Sequence, residues 1–199
     1  MIRYFTSDTH FWHKAIVGYC HRPFESSGDF VQEMNNAIIQ NWNSRITESD
    51  EVYFLGDFAF CGTNKALDIL KRLKGIKFWI KGNHDHSLAK KPEVAKHFKW
   101  IRDYYTLRVP DTYENDEGEL TQYHQPIVLF HFPILSWDGM AHGAWHLHGH
   151  CHGSIDDTWN RTGLRMDVGV DTNKLLPYSY EDIKNIMALR TVTPIDHHK

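Results

Sequence analysis

The sequence contains few cysteines and no long apolar run. Its three cysteines are widely spaced, without a Cys-x-x-Cys pair, which argues against a disulfide framework or a thiolate zinc ribbon. No apolar run approaches the roughly 20 residues of a membrane helix. The N-terminal residues from Met1 to Phe5 lead directly into polar residues rather than into a signal-peptide core. We therefore expect a cytoplasmic protein without a membrane segment.

An excess of positive charge is also missing. Lysine and arginine total 22 against 25 acidic residues, which gives a formal net charge of -3. Extended nucleic-acid binding by phosphate neutralisation requires a basic surface, so we do not expect it here. Basic residues concentrate at 71–99 and acidic residues at 111–119, and we interpret both as solvated surface. The sequence carries no signal for an oligomeric state.

Apolar segments alternate with amphipathic ones along the chain. At 199 residues we expect one domain over 1–190, followed by a flexible tail at 191–199 that includes His197 and His198.

Helices are predicted after Asp29, after Thr63 or Asn64, and after Ser179, with capping boxes at the first and last. The acidic segment 111–119 is predicted as a loop or hairpin. Strands are predicted at 3–6, 51–55, 77–80, 104–109, 127–130, 146–148 and 166–170. This order predicts an α/β layered fold on one or two sheets.

Polar side chains follow several of these strands directly. Ligands of layered α/β proteins bind outside the carboxyl ends of the strands, so we expect these side chains to converge. The set offers imidazole nitrogen with carboxylate and amide oxygen but no thiolate, which suits Mn, Fe, Zn, Co or Ni. Seven ligands exceed the needs of one ion and divide between two ions ~3.5 to 4 Å apart that share a carboxylate. The seven are Asp8, His10, Asp57, Asn83, His131, His150 and His152.

The densest part of this set is the pentapeptide from His148 to His152. On extended backbone, alternate side chains share a face, so His150 and His152 are expected to face one site while Cys151 faces away. His148 is predicted to be a structural residue at a strand end. Taken alone, the pentapeptide is equally compatible with a histidine-rich surface turn.

These motifs together carry a family resemblance. Asp8-x-His10, Gly56-Asp57, Gly82-Asn83-His84-Asp85, His131 and Gly149-His150-x-His152 occur in this order at strand ends. In this the chain resembles the calcineurin-like metallophosphoesterase superfamily, in particular its small bacterial and phage members. The resemblance implies an α/β/β/α sandwich, with two mixed sheets flanked by helices.

The resemblance also implies a role for each motif residue. Asp8, His10, Asp57 and His152 would bind one metal ion, and Asp57, Asn83, His131 and His150 the other. His84 would contact the phosphate and protonate the leaving group, and Asp85 would orient His84. The implied mechanism is in-line attack by a metal-bridging hydroxide. Mn is the favoured metal, with Zn, Fe, Ni or Co as alternatives.

Two branches of the superfamily fit the sequence poorly. Purple acid phosphatases place a tyrosine three residues after the bridging aspartate, where this chain has Phe60. Serine/threonine protein phosphatases have Gly-Asp-x-Val-Asp-Arg-Gly, whereas this chain has Gly-Asp-Phe-Ala-Phe-Cys-Gly from Gly56 to Gly62. We therefore expect neither a ferric tyrosinate centre nor a protein phosphatase.

The substrate is expected to be a small phosphoester or nucleotide, with phosphodiesters favoured. A phosphomonoesterase acting on a small metabolite and a noncatalytic binding module on the same fold are the alternatives. His13 is a candidate substrate contact or a solvated loop residue, and Arg22 a candidate phosphate contact or a structural ion pair. Trp137 and Trp145 are candidates for stacking on a nucleobase or for the core.

Overall fold

The computed structural model describes residues 1–24, 28–155 and 163–191. The predicted tail at 191–199, with His197 and His198, lies outside these residues apart from residue 191. The strands of the described residues are β1 (Arg3–Thr6), β2 (Glu51–Phe54), β3 (Ile76–Ile80), β4 (Phe98–Arg102), β5 (Tyr104–Glu114), β6 (Leu120–Phe130), β7 (Trp145–His148), β8 (Arg165–Asp167) and β9 (Tyr178–Ser179). The helices are α1 (Ile16–Tyr19), α2 (Phe30–Arg45), α3 (Thr63–Arg72), α4 (His86–Ala89), α5 (Pro92–Ala95) and α6 (Tyr180–Met187).

The strands form two mixed sheets, as predicted. The first has the order β4-β3-β2-β1-β9, in which β1 to β4 are parallel and β9 is antiparallel. The second has the order β5-β6-β7-β8, in which β5 and β6 form an antiparallel hairpin and β6, β7 and β8 are parallel. The carboxyl ends of β1, β2 and β3 therefore share one edge of the first sheet, and those of β6 and β7 share one edge of the second.

Alternation along the central strands builds two apolar layers. On β1, Tyr4 packs in a core with α2 and α3, and Phe5 packs between the two sheets. On β2, Val52 joins the first core and Tyr53 the second. Both faces of the first sheet are therefore covered, as expected for parallel strands. No helix in the described part of the chain has the length and apolar character needed to cross a lipid bilayer.

The helix starts agree in part with the predicted caps. Ser179 and Asp182 form the complete reciprocal capping box of α6. Asp29 caps α2 by accepting from the backbone of Gln32, but the Gln32 side chain donates to Asn36 instead of returning to Asp29. The predicted cap at Thr63 or Asn64 is wrong, because Gly62 occupies that position without a side-chain bond.

The acidic segment is part of a long hairpin. Strands β5 and β6 pair in unbroken register from Tyr104 with Phe130 to Glu114 with Leu120, so the prediction of a hairpin is confirmed and the strands extend well beyond their predicted ends. Strand β4 was not predicted. It lies at the edge of the first sheet, with a register shift against β3, and its pattern of partial exposure lacks a clear alternation.

Asp111 fastens this hairpin to α6. Its carboxylate accepts hydrogen bonds from the hydroxyls of Tyr123 and Tyr180 and from the Lys184 ammonium. Partial burial opposes ionisation, but the hydrogen bonds from Lys184, Tyr180, Tyr123 and the backbone of Thr112 together outweigh it and hold the pKa of Asp111 below its usual value. A carboxyl group with a depressed pKa stabilises the fold above its unfolded-state pKa, and that contribution is lost as the pH falls.

We expect Asp111→Asn to lower the free energy of unfolding by about 1 kcal/mol at pH 7. The difference from the unmodified protein should shrink as the pH falls below about 4, where the wild-type carboxyl group also becomes neutral. Urea unfolding at pH 7, 5 and 3.5 measures both effects. Asp116→Asn, at the exposed tip of the same hairpin, is the matched control. A difference that does not change with pH would contradict the assigned role of the Asp111 charge.

Candidate metal centre

The loops that follow β1, β2, β3, β6 and β7 meet at one place between the two sheets. The backbone N–H of Asp8 donates to the carbonyl of Gly56 at 2.8 Å, and that of Gly149 donates to the carbonyl of His131 at 2.9 Å. Glycine is required for this approach. A Cβ on Gly82 would overlap Oδ1 of Asp57, and one on Gly149 would overlap Oδ2 of Asp8.

Many of the predicted ligands have a left-handed backbone. Positive φ values between 47° and 70° occur at five of them, and residues with side chains rarely adopt this conformation: Asp8, His10, Asp57, His150 and His152. Such backbone conformations are costly and cluster at functional sites. This also corrects the expectation for the pentapeptide, because the chain bends at residues 150–152, with positive φ at His150 and His152, and is not extended there. Cys151 consequently lines the cavity instead of facing away.

The first group of donors consists of Asp8, His10 and His152. Oδ1 of Asp8 lies 3.8 Å from Nε2 of His10 and 3.8 Å from Nε2 of His152. The other oxygen of Asp8 is committed elsewhere, since it accepts from the Ser7 hydroxyl and from the backbone of His150. Oδ1 of Asp8 and Nε2 of His10 are buried without a hydrogen-bond partner. Two ligands held about 2.1 Å from one ion are at most about 4.2 Å apart, so a metal ion fits between these atoms.

The second group consists of Asp57, Asn83, His131 and His150. Oδ1 of Asn83 lies 3.0 Å from Nε2 of His131 and 3.1 Å from Nδ1 of His150. Nδ1 of His131 is 2.7 Å from the carbonyl of Leu55, which accepts its proton and turns Nε2 towards Asp57. Asp57, His131 and His150 offer ligand atoms close enough for one ion.

Asp57 connects the two groups. Its Oδ1 accepts from the backbone N–H of His84 at 3.0 Å, so Oδ2 is directed into the site. Oδ2 lies 3.7 Å from Nε2 of His10 in the first group and 3.6 Å from Nε2 of His131 in the second. Asp57 would therefore contribute a ligand oxygen to both donor groups.

The protonation of the site suits cations. Burial lowers the pKa of His10 to about 2 and that of His131 to about 4, so both rings are neutral, as metal ligands must be. Burial and the nearby Asp167 raise the pKa of Asp8, and burial raises that of Asp57. Burial also lowers the pKa of His152, but its hydrogen bonds to Asp171 and Cys20 and the nearby Asp8 carboxylate together outweigh burial and raise that pKa to about 10. A divalent ion would compensate the buried carboxylates and replace the proton on Nε2 of His152.

The expected catalytic pair is not arranged as predicted. His84 lies at the mouth of the site with Nε2 3.9 Å from Oδ2 of Asp57. Asp85 does not orient the His84 ring. It is fully buried, and its carboxylate accepts hydrogen bonds from four other donors: the backbone N–H groups of Asp57, Phe58 and Gly82 and the indole of Trp79. Asp85 therefore fastens the loop after β2 to the loop after β3.

The guanidinium of Arg22 is engaged by other protein groups. It is buried, and its guanidinium forms a bidentate ion pair with Asp171 while donating to the carbonyls of Asp8 and Thr9. Asp171 in turn accepts from Nδ1 of His152 at 2.6 Å. Sequence reasoning missed Asp171 as the residue that orients a predicted ligand. The only available signal was its position shortly after β8.

The site opens into a cavity of about 640 Å³ that His13, Phe60, Asn83 and His84 help to line. Nδ1 of His13 is 3.4 Å from Nδ1 of His10, so His13 contacts a predicted ligand as well as the cavity. The stacking role considered for Trp137 and Trp145 is wrong, because both rings are buried in apolar clusters.

We expect Asp85→Asn to lower the free energy of unfolding by about 2 to 4 kcal/mol, because an amide NH₂ would face buried N–H donors and leave at least one unsatisfied. Urea unfolding of the metal-free protein measures this loss. The matched control is Asp103→Asn, whose carboxylate is exposed and pairs with Lys81. That control should change stability by less than about 0.5 kcal/mol. Equal effects of the two variants would contradict the role assigned to Asp85.

Asp171→Asn should weaken metal binding at the first group by about 10- to 100-fold, because the His152 ring loses the carboxylate that orients it. Calorimetric titration with Mn²⁺ measures the affinities. Binding at the second group, which Asp171 does not contact, provides the internal reference, and Asp103→Asn controls for the loss of a negative charge. Unchanged affinity in a folded Asp171→Asn protein would disprove the orienting role.

Comparison with known proteins identifies the family of the chain. The family model described as calcineurin-like phosphoesterase matches residues 3–184. The chain is similar to an uncharacterized protein of Methanocaldococcus jannaschii, with 31% identity over 92% of this chain and 90% of the relative. It is also similar to the Gene 66 protein of Mycobacterium phage L5, with 26% identity over 84% of this chain and 86% of the relative. A crystal structure of an Aquifex aeolicus protein of unknown function shares the fold, with a TM-score of 0.60 and 24% identity over 93% of this chain and 98% of that one. The chain belongs to the calcineurin-like phosphoesterase family.

Proposed function

We propose that the protein is a dinuclear metal-dependent phosphoesterase that prefers phosphodiesters. The observation that carries this proposal is the pair of donor groups on either side of Oδ2 of Asp57, with Oδ1 of Asp8 and Nε2 of His10 buried and unpartnered. Buried polar atoms without partners are costly, and a bound cation removes that cost. Membership of a phosphoesterase family supports the same reaction class.

The donor set supports Mn²⁺ as the metal. It combines imidazole nitrogen with carboxylate and amide oxygen, and the same set also accepts Zn, Fe, Ni or Co. Asp8, His10, Asp57 and His152 would hold one ion, and Asp57, Asn83, His131 and His150 the other. Divalent ions in these positions supply activation of the nucleophile and neutralisation of phosphate charge.

The protein's own residues account for orientation and proton transfer. Leu55 and Asp171 hold the rings of His131 and His152, so these two rings need little reorganisation when substrate binds. His84 is half-exposed beside Oδ2 of Asp57, in the position from which an imidazole reaches the leaving group of a bound ester. We assign proton donation to the leaving oxygen to His84.

The charge around the cavity favours a diester. No lysine or arginine is among the described residues that line it, so a monoester dianion would find no fixed cation beyond the metal ions. A diester carries a single negative charge. An adjoining cleft of about 920 Å³, whose lining includes Lys14 and the buried Arg22, shares Tyr19 and His21 with the cavity and offers room for the second ester group.

We also infer that residues 1–190 act as a single catalytic domain. Each sheet supplies part of the site, and one apolar cluster includes Phe5 and Leu55 of the first sheet region together with Ile127 and Leu147 of the second. Splitting the chain between the sheets would expose this cluster and separate the ligands.

With Mn²⁺, the purified protein should hydrolyse bis-p-nitrophenyl phosphate with a kcat/KM about tenfold or more above that for p-nitrophenyl phosphate, corresponding to about 1.4 kcal/mol of discrimination. Release of p-nitrophenolate measures both reactions, and chelation should abolish them. Asp57→Asn is the inactive control, because Asp57 contacts both donor groups. Absence of turnover with Mn, Zn, Fe, Co and Ni on both esters would disprove the enzyme, and a preference for the monoester would disprove the diester assignment.

A further inference from the structure

The ring of Phe60 packs against three imidazoles at the mouth of the site. It stacks on His13 with a centroid distance of 3.8 Å and an interplanar angle of 13°. It also packs against His84, with a centroid distance of 4.6 Å and an angle of 50°, and against His10, at 5.3 Å and 31°. Phe60 is 36% exposed and belongs to none of the apolar core clusters of the described residues. Its packing is therefore with the site and not with the core.

A backbone hydrogen bond and the neighbouring His13 ring fix the position of the Phe60 ring. The backbone N–H of Phe60 donates to the carbonyl of Phe11 at 2.8 Å, which ties it to the loop that carries His10. His13, which backs the ring, is itself within 3.4 Å of His10 through the two Nδ1 atoms. Phe60 is thus held at a fixed position relative to the donor groups.

Apart from Phe60, the described residues give the His84 ring an edge contact with His10, at a centroid distance of 6.0 Å, and no hydrogen bond. Its backbone N–H bonds to Asp57, but the four hydrogen bonds to the Asp85 carboxylate all come from other residues. The nearest carboxylate oxygen to Nε2 of His84 is 3.9 Å away, and the side chain is 47% exposed. An imidazole in this situation exchanges between rotamers unless packing restricts it.

We propose that Phe60 is a positioning residue that holds the His84 imidazole in the orientation for proton donation, with His13 as the backing of the Phe60 ring. This inference rests on the proposed function. In the hydrolysis of a diester, water oxygen bonds to phosphorus as the bond to the leaving oxygen breaks. Nε2 of His84 gives its proton to that oxygen, the attacking water releases a proton to solvent, and solvent reprotonates His84. Loss of Phe60 therefore reduces only the part of the rate that depends on this proton.

The test compares two diesters that differ in the basicity of the leaving group, bis-p-nitrophenyl phosphate and diphenyl phosphate. A phenolate is the poorer leaving group and needs the proton more. His84→Asn should lower kcat on diphenyl phosphate by about 100-fold or more and on the nitrophenyl ester by much less. Phe60→Ala should show the same selectivity, with a loss of about tenfold on diphenyl phosphate and less than about threefold on the nitrophenyl ester.

Several variants separate positioning from general damage. Phe60→Leu, which keeps an apolar side chain of similar reach and adds no metal ligand, should fall between Phe60→Ala and wild type in the ratio of the two rates. Adding Phe60→Ala to His84→Asn should cause no further loss on diphenyl phosphate, because the proton donor is already gone. Tyr113→Ala, at an exposed aromatic residue of the distant hairpin, is the matched control. Thermal unfolding and Mn content should be unchanged in the Phe60 variants, and Phe60→Leu decides the test if Phe60→Ala does not fold.

The outcomes distinguish this inference from the proposed function. If wild type hydrolyses neither diester, the proposed function fails. If His84→Asn lowers kcat equally on both esters, His84 is not the proton donor. Phe60 then cannot position it for that role, and this inference fails too. If His84→Asn is selective but Phe60→Ala loses equally on both esters, or if the two substitutions are additive, Phe60 does not position His84.

Discussion

The Asp57 carboxylate is the group on which the arrangement of this site depends. One of its oxygens is held by the backbone of His84, and the other lies between imidazoles from the loops after β1 and β6. These two contacts require that the loops after β2 and β3 touch. The touching is possible because Gly82, beside Asp57, has no side chain. The buried Asp85 carboxylate holds these two loops together. The Asp85 carboxylate thus helps to fix the position of the Asp57 carboxylate.

This arrangement has an electrostatic cost. Asp8, Asp57 and Asp167 are buried near one another, and burial and mutual repulsion raise the pKa of Asp8. Left-handed backbone at the donor residues adds strain of order 1 kcal/mol or more for each residue. Arg22 offsets part of the charge by pairing with Asp171 and donating to the carbonyl of Asp8. The remaining imbalance is of the kind that a pair of cations removes, which relates the stability of the loops to metal occupancy.

Much of the architecture could be predicted from local patterns. Short apolar runs identified β1 and β2, because each strand buries both faces, and the capping box located the start of α6. Strand β4 was missed because it lies at a sheet edge, where partial exposure removes the alternation on which such predictions depend. The grouping of donor residues at strand ends was predictable because parallel strands place their carboxyl ends at one edge.

The roles of individual polar residues were less predictable. Asp85 follows His84 directly in the chain, yet its carboxylate is directed towards backbone donors of the preceding loop. Arg22 has the chemistry of a phosphate ligand, but its partner Asp171 is 149 positions away and buries it. Sequence spacing contains no information about such pairings. The same limit applies to Trp137 and Trp145, whose rings pack into apolar clusters, and to Phe60, whose ring lies at the site.

The sequence by itself was enough to predict the donor chemistry of the candidate site, namely nitrogen and oxygen ligands without thiolate, and the strand ends that carry these ligands. Composition and local periodicity are sufficient for that, because ligand type is a property of single residues and strand ends are local. Only the tertiary structure decided which donors share an oxygen of Asp57, which carboxylates support other residues and which aromatic ring contacts His84. These depend on the meeting of loops that are far apart in the chain, and contacts of that kind follow from packing of the whole fold.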